Sequence, residues 1–255
     1  MRLRRPQIIV KNKEQLEGIR ESGKRNIEIL DTVAEKIQEG MTTDDIDHIV
    51  YETTKKLGGI PAPLNYEGFP KSVCTSVNSQ VCHGIPSKDV ILKSGDIINV
   101  DVSTIYKDYF SDSSRMFCIG KVSDEARKLV EVTKEAVYEG LKQVYPGNRF
   151  GTMGNAVHQY AKQHGYTVVR QIGGHGVGLE FHEEPYVSFV SKAGTGAIFE
   201  PGMVFTIEPM VNQGTDEIYI DGNNDWTVYT MDEKLSAQWE IMVAVTENGY
   251  EVMAY

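Results

Sequence analysis

The sequence predicts one α/β domain, residues 1–255, in which an order of helices and strands occurs twice. Three observations support this prediction. The length suits a single large core, helical periodicity precedes strand patterns in each half, and the halves align at a constant offset without a gap. Hydrophobic residues make up 40% of the chain and charged residues 24%, as in an ordinary globular protein. We place the two halves at roughly 13–120 and 121–255.

The first half is predicted to begin with two helices. Apolar residues at helical spacing indicate a helix over 13–39, and Gly40 stands where a helix stop is expected. Thr42 is a suitable cap for a second helix, which ends at Gly58. After a connection rich in proline and glycine and some short β runs, residues 97–106 form a strand.

The second half repeats this order. Ser123 caps a long helix that continues to Val144, and Pro146-Gly147 interrupts it. Residues 150–164 then form a shorter helix closed by Gly165, and strands follow.

The internal repeat has an offset of 107 positions. At that offset the glycines that end the helices coincide, and residues 95–101 superpose on 202–208. Asp101 and Glu208 therefore occupy equivalent points of the two halves. The alternative is a chance match of glycines in two helix–strand units, but two separate segments share one register.

Charge and cysteine content limit the partners and the compartment. The net charge of −10 disfavours a nucleic acid or an anionic membrane as the main partner. Cys74, Cys82 and Cys118 are odd in number and lack CxxC spacing, which favours a reducing, cytoplasmic location. Few apolar residues follow the basic residues 1–5, so we expect neither a signal peptide nor a membrane span.

Residues 172–185 are chemically unusual. Four glycines within six positions surround His175, and His182 follows seven residues later. Glycine weakens strands and helices, so this density implies close backbone approach or unusual dihedral angles on a glycine-rich turn. The alternative is a surface loop with incidental histidines.

Three acidic residues lie in apolar strand patterns. Alternation places Asp101 on the polar face of residues 98–103, whereas Glu208 and Glu240 follow or interrupt apolar runs. A buried, unpaired carboxylate costs several kcal/mol, so each one needs a cation, a donor or a proton. Any single acid could be structural with a distant partner, but three of them favour a shared metal centre.

The spacing extends this cluster. Asp112 lies eleven residues beyond Asp101, the separation of a strand and its return. Four carboxylates and the imidazole of His175 carry a formal charge of −4, which two divalent ions would neutralise. Oxygen-dominated ligation suits Mn(II), Fe(II) or Co(II), with Zn(II) as a further candidate.

Five motifs in order resemble those of the type I methionine aminopeptidases. They lie at residues 81–86, 99–102, 174–185, 205–210 and 236–240. The resemblance covers essentially the whole chain and implies the pita-bread fold: a pseudo-two-fold α/β domain with curved antiparallel sheet inside and helices outside. The printed sequence lacks the N-terminal zinc-binding extension of eukaryotic type I enzymes, and only 32 positions separate Glu208 from Glu240, too few for the type II insertion. A bacterial type I enzyme is therefore expected.

The resemblance also implies a reaction and its residues. A metal-bridged hydroxide would attack the first peptide bond of N-terminal Met peptides and nascent chains. Glu208 would transfer the proton, His182 would stabilise the oxyanion, and His83 would contact the peptide nitrogen. The implied metal ligands are Asp101, Asp112, His175, Glu208 and Glu240. By themselves, His83 and His182 would be ordinary core or surface histidines. We expect a monomer. The basic N terminus is a candidate for transient ribosome contact, but a solvated tail is the favoured interpretation.

A methionine pocket is implied as well. Its walls would be Tyr66, Phe69, Cys74, Phe181 and Trp226, although each is also an ordinary core residue type. Four departures from the family pattern are Phe69 for tyrosine, Pro63 for a frequent cysteine, Ile241 for a common histidine, and Ser111-Asp112-Ser113 for Gly-Asp-Thr. None removes an implied ligand.

Two alternatives remain. One is an X-Pro aminopeptidase or creatinase-like hydrolase with the same fold and ligands; these usually carry a separate N-terminal domain, which the printed sequence does not show. The other is a non-catalytic peptide-binding relative that has lost the metals.

Overall fold

The structure, a computed structural model, describes residues 7–255. Residues 1–5, the candidate for a ribosome contact, lie outside this range. Within it the helices are α1 (Lys13–Lys36), α2 (Thr43–Lys56), α3 (Asp124–Leu141) and α4 (Phe150–Gln163). The strands are β1 (Ile60–Pro61), β2 (Cys74–Val77), β3 (Gln80–Cys82), β4 (Ile97–Tyr106), β5 (Tyr109–Cys118), β6 (Thr167–Val168), β7 (Gly174–Gly176), β8 (Glu183–Val187), β9 (Val204–Ile207), β10 (Met210–Asn212), β11 (Ile218–Ile220), β12 (Val228–Thr230), β13 (Ser236–Gln238), β14 (Ile241–Thr246) and β15 (Gly249–Ala254).

Side chains cap the helices where the sequence indicated. The side chains of Thr42 and Ser123 accept hydrogen bonds from backbone N–H groups in the first turns of α2 and α3. At the start of α1, Asn12 and Gln15 form a reciprocal capping box that the sequence reading did not single out.

Strand β4 is the centre of the N-terminal sheet. It pairs with β5 along its whole length and with β1 and β2 on its other edge, always antiparallel. Ile98, Val100 and Val102 belong to the buried apolar cluster formed with α1 and α2. The alternate residues, including Asp101, therefore face away from those helices, as predicted.

The C-terminal half is built around a five-stranded antiparallel sheet with the order β15-β14-β9-β7-β8. Two separate three-stranded sheets have the orders β13-β10-β6 and β11-β12-β3, and β3 of the second comes from the N-terminal half. Leu129 of α3 and Val157 of α4 share one buried cluster with Phe205 and Val243. A backbone bridge between Ser114 and Glu240 connects β5 of the first half to the second half.

The repeat is visible in the backbone. Adding 107 to the bounds of α2, Thr43–Lys56, reproduces those of α4, Phe150–Gln163, and β4 and β9 begin at the same offset. Gly40 and Gly147, each following a helix at equivalent positions, have φ angles of 88° and 90°. The predicted α/β class with a two-fold repeat is confirmed.

Some predicted bounds were too long. Helix α1 ends at Lys36 because Ile37 is extended, with ψ 128°. Helix α3 ends at Leu141, since the N–H groups of Gln143 and Val144 bond three residues back in a tightened last turn. The strand expected around Glu240 is interrupted at that residue, between β13 and β14.

Candidate metal centre

All twelve residues that we predicted for the site line one cavity of about 450 Å³. Five of them come from different elements: Asp101 from β4, Asp112 from β5, His175 from β7, Glu208 directly after β9, and Glu240 directly before β14. Antiparallel pairing of β4 with β5 and of β9 with β14 brings these distant positions together.

The carboxylates receive hydrogen bonds from three residues whose roles the sequence reading missed. Ser103 donates to Asp112 at 2.8 Å. Thr206 and Gln238 donate to the two oxygens of Glu208 at 2.6 and 3.1 Å. Each donor lies two positions from one of the acids, so the alternation of a strand was the available indication.

Other carboxylate oxygens have no partner. Among residues 7–255, Asp101 Oδ1 and Glu240 Oε1 are buried without a hydrogen bond. Burial raises the pKa of Asp101 to about 7 and that of Glu208 to about 8. Burial and the neighbouring acids raise the pKa values of Asp112 and Glu240 well above their usual range. Within the described range no Lys or Arg lines the cavity. The four buried carboxylates therefore need a cation that is not a protein side chain.

His175 is arranged as a nitrogen ligand. Its Nδ1 lies 2.9 Å from the carbonyl of Gly176, which can only accept, so Nδ1 carries the proton. Burial lowers the pKa of His175 to about 3, so the ring is neutral. Its free Nε2 lies 3.6 Å from oxygens of both Asp112 and Glu208. Three acceptors facing one another leave a place for a cation.

The donor set therefore fits divalent metal. Ligand atoms of Asp112, His175 and Glu240 lie within 4.8 Å of one another, and the unpartnered oxygen of Asp101 lines the same cavity. One neutral imidazole together with several carboxylates is a ligand set that suits Mn(II), Fe(II), Co(II) or Zn(II).

The centre of the glycine-rich stretch, Gly174–Gly176, forms the short strand β7 where we expected a turn. β7 pairs with β8 and β9, and an added Cβ on Gly174 or Gly176 would lie 2.6 Å from the carbonyl oxygen of Thr206 or 2.2 Å from that of Glu184. These glycines therefore admit neighbouring backbone on both sides of His175.

The predicted pocket walls all line the cavity. Tyr66 packs edge-on against Phe181, and Phe69 packs edge-on against Trp226, with ring centroids 4.9 and 5.2 Å apart. Cys74 stands opposite Asp101 in the β2–β4 register. Of the departures from the family pattern, Pro63 also lines the cavity, whereas Ile241 is fully buried in the apolar core.

The two remaining histidines also face the cavity. His182 is exposed; its Nδ1 lies 3.0 Å from the hydroxyl of Tyr66, and its ring centroid is 4.3 Å from that of His175. His83 has a φ of 54°, a backbone conformation that is uncommon for a residue with a side chain. Burial lowers the pKa of His83 to about 4, so its ring is neutral at physiological pH.

The metal-free protein is expected to lose stability as the pH rises. Asp101 and Glu208 have pKa values of about 7 and 8 in the folded chain but ordinary, lower values when unfolded. Their contribution is therefore fully present below the unfolded values and disappears as the pH rises through 7 to 8. Thermal unfolding in chelator from about pH 5.5 to about pH 8.5 should show a falling midpoint. The same titration with Co(II) should show a much smaller fall, and equal slopes would contradict the prediction.

Comparison with known proteins agrees with this geometry. Residues 17–247 match the model of metallopeptidase family M24. A methionine aminopeptidase A of Synechocystis is 45% identical over 96% of this chain and 97% of its own length. The crystal structure of methionine aminopeptidase from Rickettsia prowazekii matches with a TM-score of 0.96 at 39% identity, over 98% of this chain and all of that one.

Other peptidases have a similar fold. An X-Pro aminopeptidase from Thermotoga maritima matches with a TM-score of 0.76 at 25% identity, and the match covers 96% of this chain but 62% of that one. These likenesses confirm the expected pita-bread fold. Within residues 7–255, moreover, no helix combines the length and apolarity needed to cross a membrane.

Proposed function

Because the chain belongs to metallopeptidase family M24, and within it to the methionine aminopeptidases, we propose that its cavity removes the N-terminal methionine from peptides and nascent chains. The enzyme is a metal-dependent hydrolase. The observation that carries the proposal is the convergence of five side chains able to ligate metal with two further histidines and an apolar pocket in one cavity.

The metal ligands would be Asp101, Asp112, His175, Glu208 and Glu240. Their formal charge of −4 is balanced by two divalent ions, for which Mn(II), Fe(II), Co(II) and Zn(II) are the candidates. Such ions supply Lewis-acid chemistry, in that they lower the pKa of water and polarise carbonyl oxygens. In this site the unpartnered oxygens of Asp101 and Glu240 are available to them.

Glu208 is proposed to carry the proton. It must accept a proton from the attacking water and return it to the leaving amine. Donation from Thr206 and Gln238 orients the two oxygens of its carboxylate. The two donors thus hold the group in place while its charge changes.

His182 is proposed to stabilise the oxyanion. Burial and the charges of Glu67 and Glu180 raise the pKa of Tyr66, so its hydroxyl remains protonated. When that hydroxyl donates to Nδ1 of His182, the proton of the ring lies on Nε2 and is available to the substrate carbonyl. His83, neutral and also on the cavity wall, would contact the peptide nitrogen.

The apolar walls would select the first side chain. Tyr66, Phe69, Cys74, Phe181 and Trp226 form them. A flexible thioether fits against such aromatic faces and adapts to their irregular shape. The packed Phe69–Trp226 pair supports phenylalanine as a wall residue at this position, where the family pattern often has tyrosine.

The decisive assay uses the protein purified without oxygen and loaded with each candidate metal. Release of methionine from Met-Gly-Met-Ser, without release of the first residue from an X-Pro peptide, is the expected result. The opposite preference would indicate an X-Pro aminopeptidase. Absence of both activities with every metal would indicate a peptide-binding relative.

We further infer that residues 1–255 act as one catalytic domain, with halves near 13–120 and 121–255, as a monomer in the cytoplasm. The three cysteines are free in the structure, which suits a reducing compartment. Ribosome contact would involve residues 1–5, outside the described range.

A further inference from the structure

The clearest feature that the proposed chemistry does not use is a buried ion pair between Lys11 and Glu183. Their side chains are 0% and 2% exposed, and Lys11 Nζ lies 2.5 Å from Glu183 Oε2. The two residues are 172 positions apart, one in the segment before α1 and the other at the start of β8. A buried ion pair is a poor source of stability, because desolvation offsets its attraction, so another role has to be considered.

Glu183 holds a turn together. Its second oxygen, Oε1, accepts the backbone N–H groups of Leu179 at 2.6 Å and Glu180 at 3.0 Å. One carboxylate thus ties the beginning of the turn 178–183 to its end. Lys11 is the cation opposite this carboxylate. Burial lowers the pKa of Lys11, and the hydrogen bond and charge of Glu183 offset only part of that shift.

The turn carries Phe181 and His182. Phe181 is buried, and its ring stacks on that of His182 with centroids 4.4 Å apart. His182 in turn reaches Tyr66 and His175 across the cavity. The position of His182 therefore depends on the shape of this turn.

Lys11 is itself held firmly in place. Its N–H donates to the carbonyl of Gly202 at 2.8 Å, and an added Cβ on Gly202 would lie 2.7 Å from the carbonyl oxygen of Lys11. An added Cβ on Gly178, at the start of the turn, would lie 3.5 Å from Lys11 Cε. The lysine stem consequently packs directly beneath the turn.

We propose that Lys11 is a positioning residue, which acts through Glu183 to hold the turn 178–183 and so places His182 against the scissile carbonyl. This rests on the proposed function, in which His182 contacts the substrate. The N-terminal segment thereby takes part in building a site that lies on strands far along the chain.

The test compares Lys11→Met, Glu183→Gln and the double variant, with exposed Lys13→Met as the matched control. In Lys11→Met, kcat for Met-Gly-Met-Ser should fall by about tenfold to a hundredfold, because a displacement of about 1 Å costs that much. KM and metal content should change little. The amides of Leu179 and Glu180 should exchange hydrogen faster than they do in the wild-type protein, whereas the amides of the sheet should keep their protection.

The double variant should regain most of the lost kcat, since the glutamine side chain of Glu183→Gln still offers an oxygen to both amides and no charge is left unpaired. Should Lys11→Met fail to fold, the test uses Glu183→Gln, which leaves the charge of Lys11 unpaired and is expected to show the same slow turnover. Adding Lys11→Met to Glu183→Gln should then restore kcat. Absence of that rescue overturns the proposal. Unchanged turnover and exchange in Lys11→Met, or an even loss of protection throughout the chain, would do so as well.

The two proposals can be separated. A wild-type protein that releases no methionine overturns the proposed function. The exchange of the amides of Leu179 and Glu180 then still decides whether Lys11 holds the turn.

Discussion

Replacing Asp101 by alanine is expected to remove metal binding and lower kcat/KM for Met-Gly-Met-Ser by about a thousandfold, roughly 4 kcal/mol of transition-state stabilisation. Asp101 presents a buried oxygen without a partner, at the centre of β4 and equivalent to Glu208 in the repeat. With that carboxylate gone, the site offers one ligand and one negative charge fewer, so it holds a divalent cation less well. Metal content after dialysis and steady-state kinetics measure both effects.

The matched control is Asp89→Ala, an exposed acid outside the cavity. It should keep wild-type metal content and activity. Because Asp101→Ala also removes a buried carboxylate that burial disfavours, the metal-free variant should unfold no more easily than metal-free wild type at alkaline pH. A fully active Asp101→Ala protein would overturn the metal centre itself.

Replacing His182 by alanine is expected to lower kcat by about a hundredfold to a thousandfold while metal content stays near that of wild type. His182 lies at the cavity mouth and contacts Tyr66, so its loss removes a donor to the developing oxyanion but none of the proposed ligands. Kinetics and metal analysis on the same preparation separate the two effects.

Two further variants sharpen this result. Tyr66→Phe keeps the ring of the wall but removes the hydroxyl bonded to His182, so kcat should fall less than in His182→Ala and KM should change little. His48→Ala, an exposed histidine on α2, should behave as wild type. If His182→Ala instead loses its metal with unchanged kcat per bound ion, His182 is a ligand and not an oxyanion partner.

Much of the local structure could be predicted from the sequence. The caps at Thr42 and Ser123, the strand over 97–106 and the polar face that includes Asp101 were all recovered, because each depends on residues a few positions apart. The predicted helix ends were less exact. The tightened turn at 142–144, for example, does not change the spacing of apolar residues from which the end of α3 was predicted.

The candidate site was predicted unevenly. The acids could be selected because a carboxylate in an apolar strand needs a counter-charge, whereas the roles of His83 and His182 came from the resemblance to a family. The hydrogen-bonding roles of Ser103, Thr206 and Gln238 were missed because hydroxyl and amide groups are common on strand faces. The glycines around His175 were noticed in the sequence, but the neighbouring backbone of Thr206 and Glu184, for which they make room, was not predicted.

The sequence by itself determined the two-fold repeat, the elements, and the residue types able to hold divalent metal. Only the tertiary structure decided which carboxylate oxygens lack partners, which nitrogen of His175 is free, and that Lys11 meets Glu183. Periodicity and backbone dihedral angles are local properties, which residues close together in the sequence determine. Contacts between residues 172 positions apart follow instead from sheet register and close packing, which arise only when the whole chain has folded.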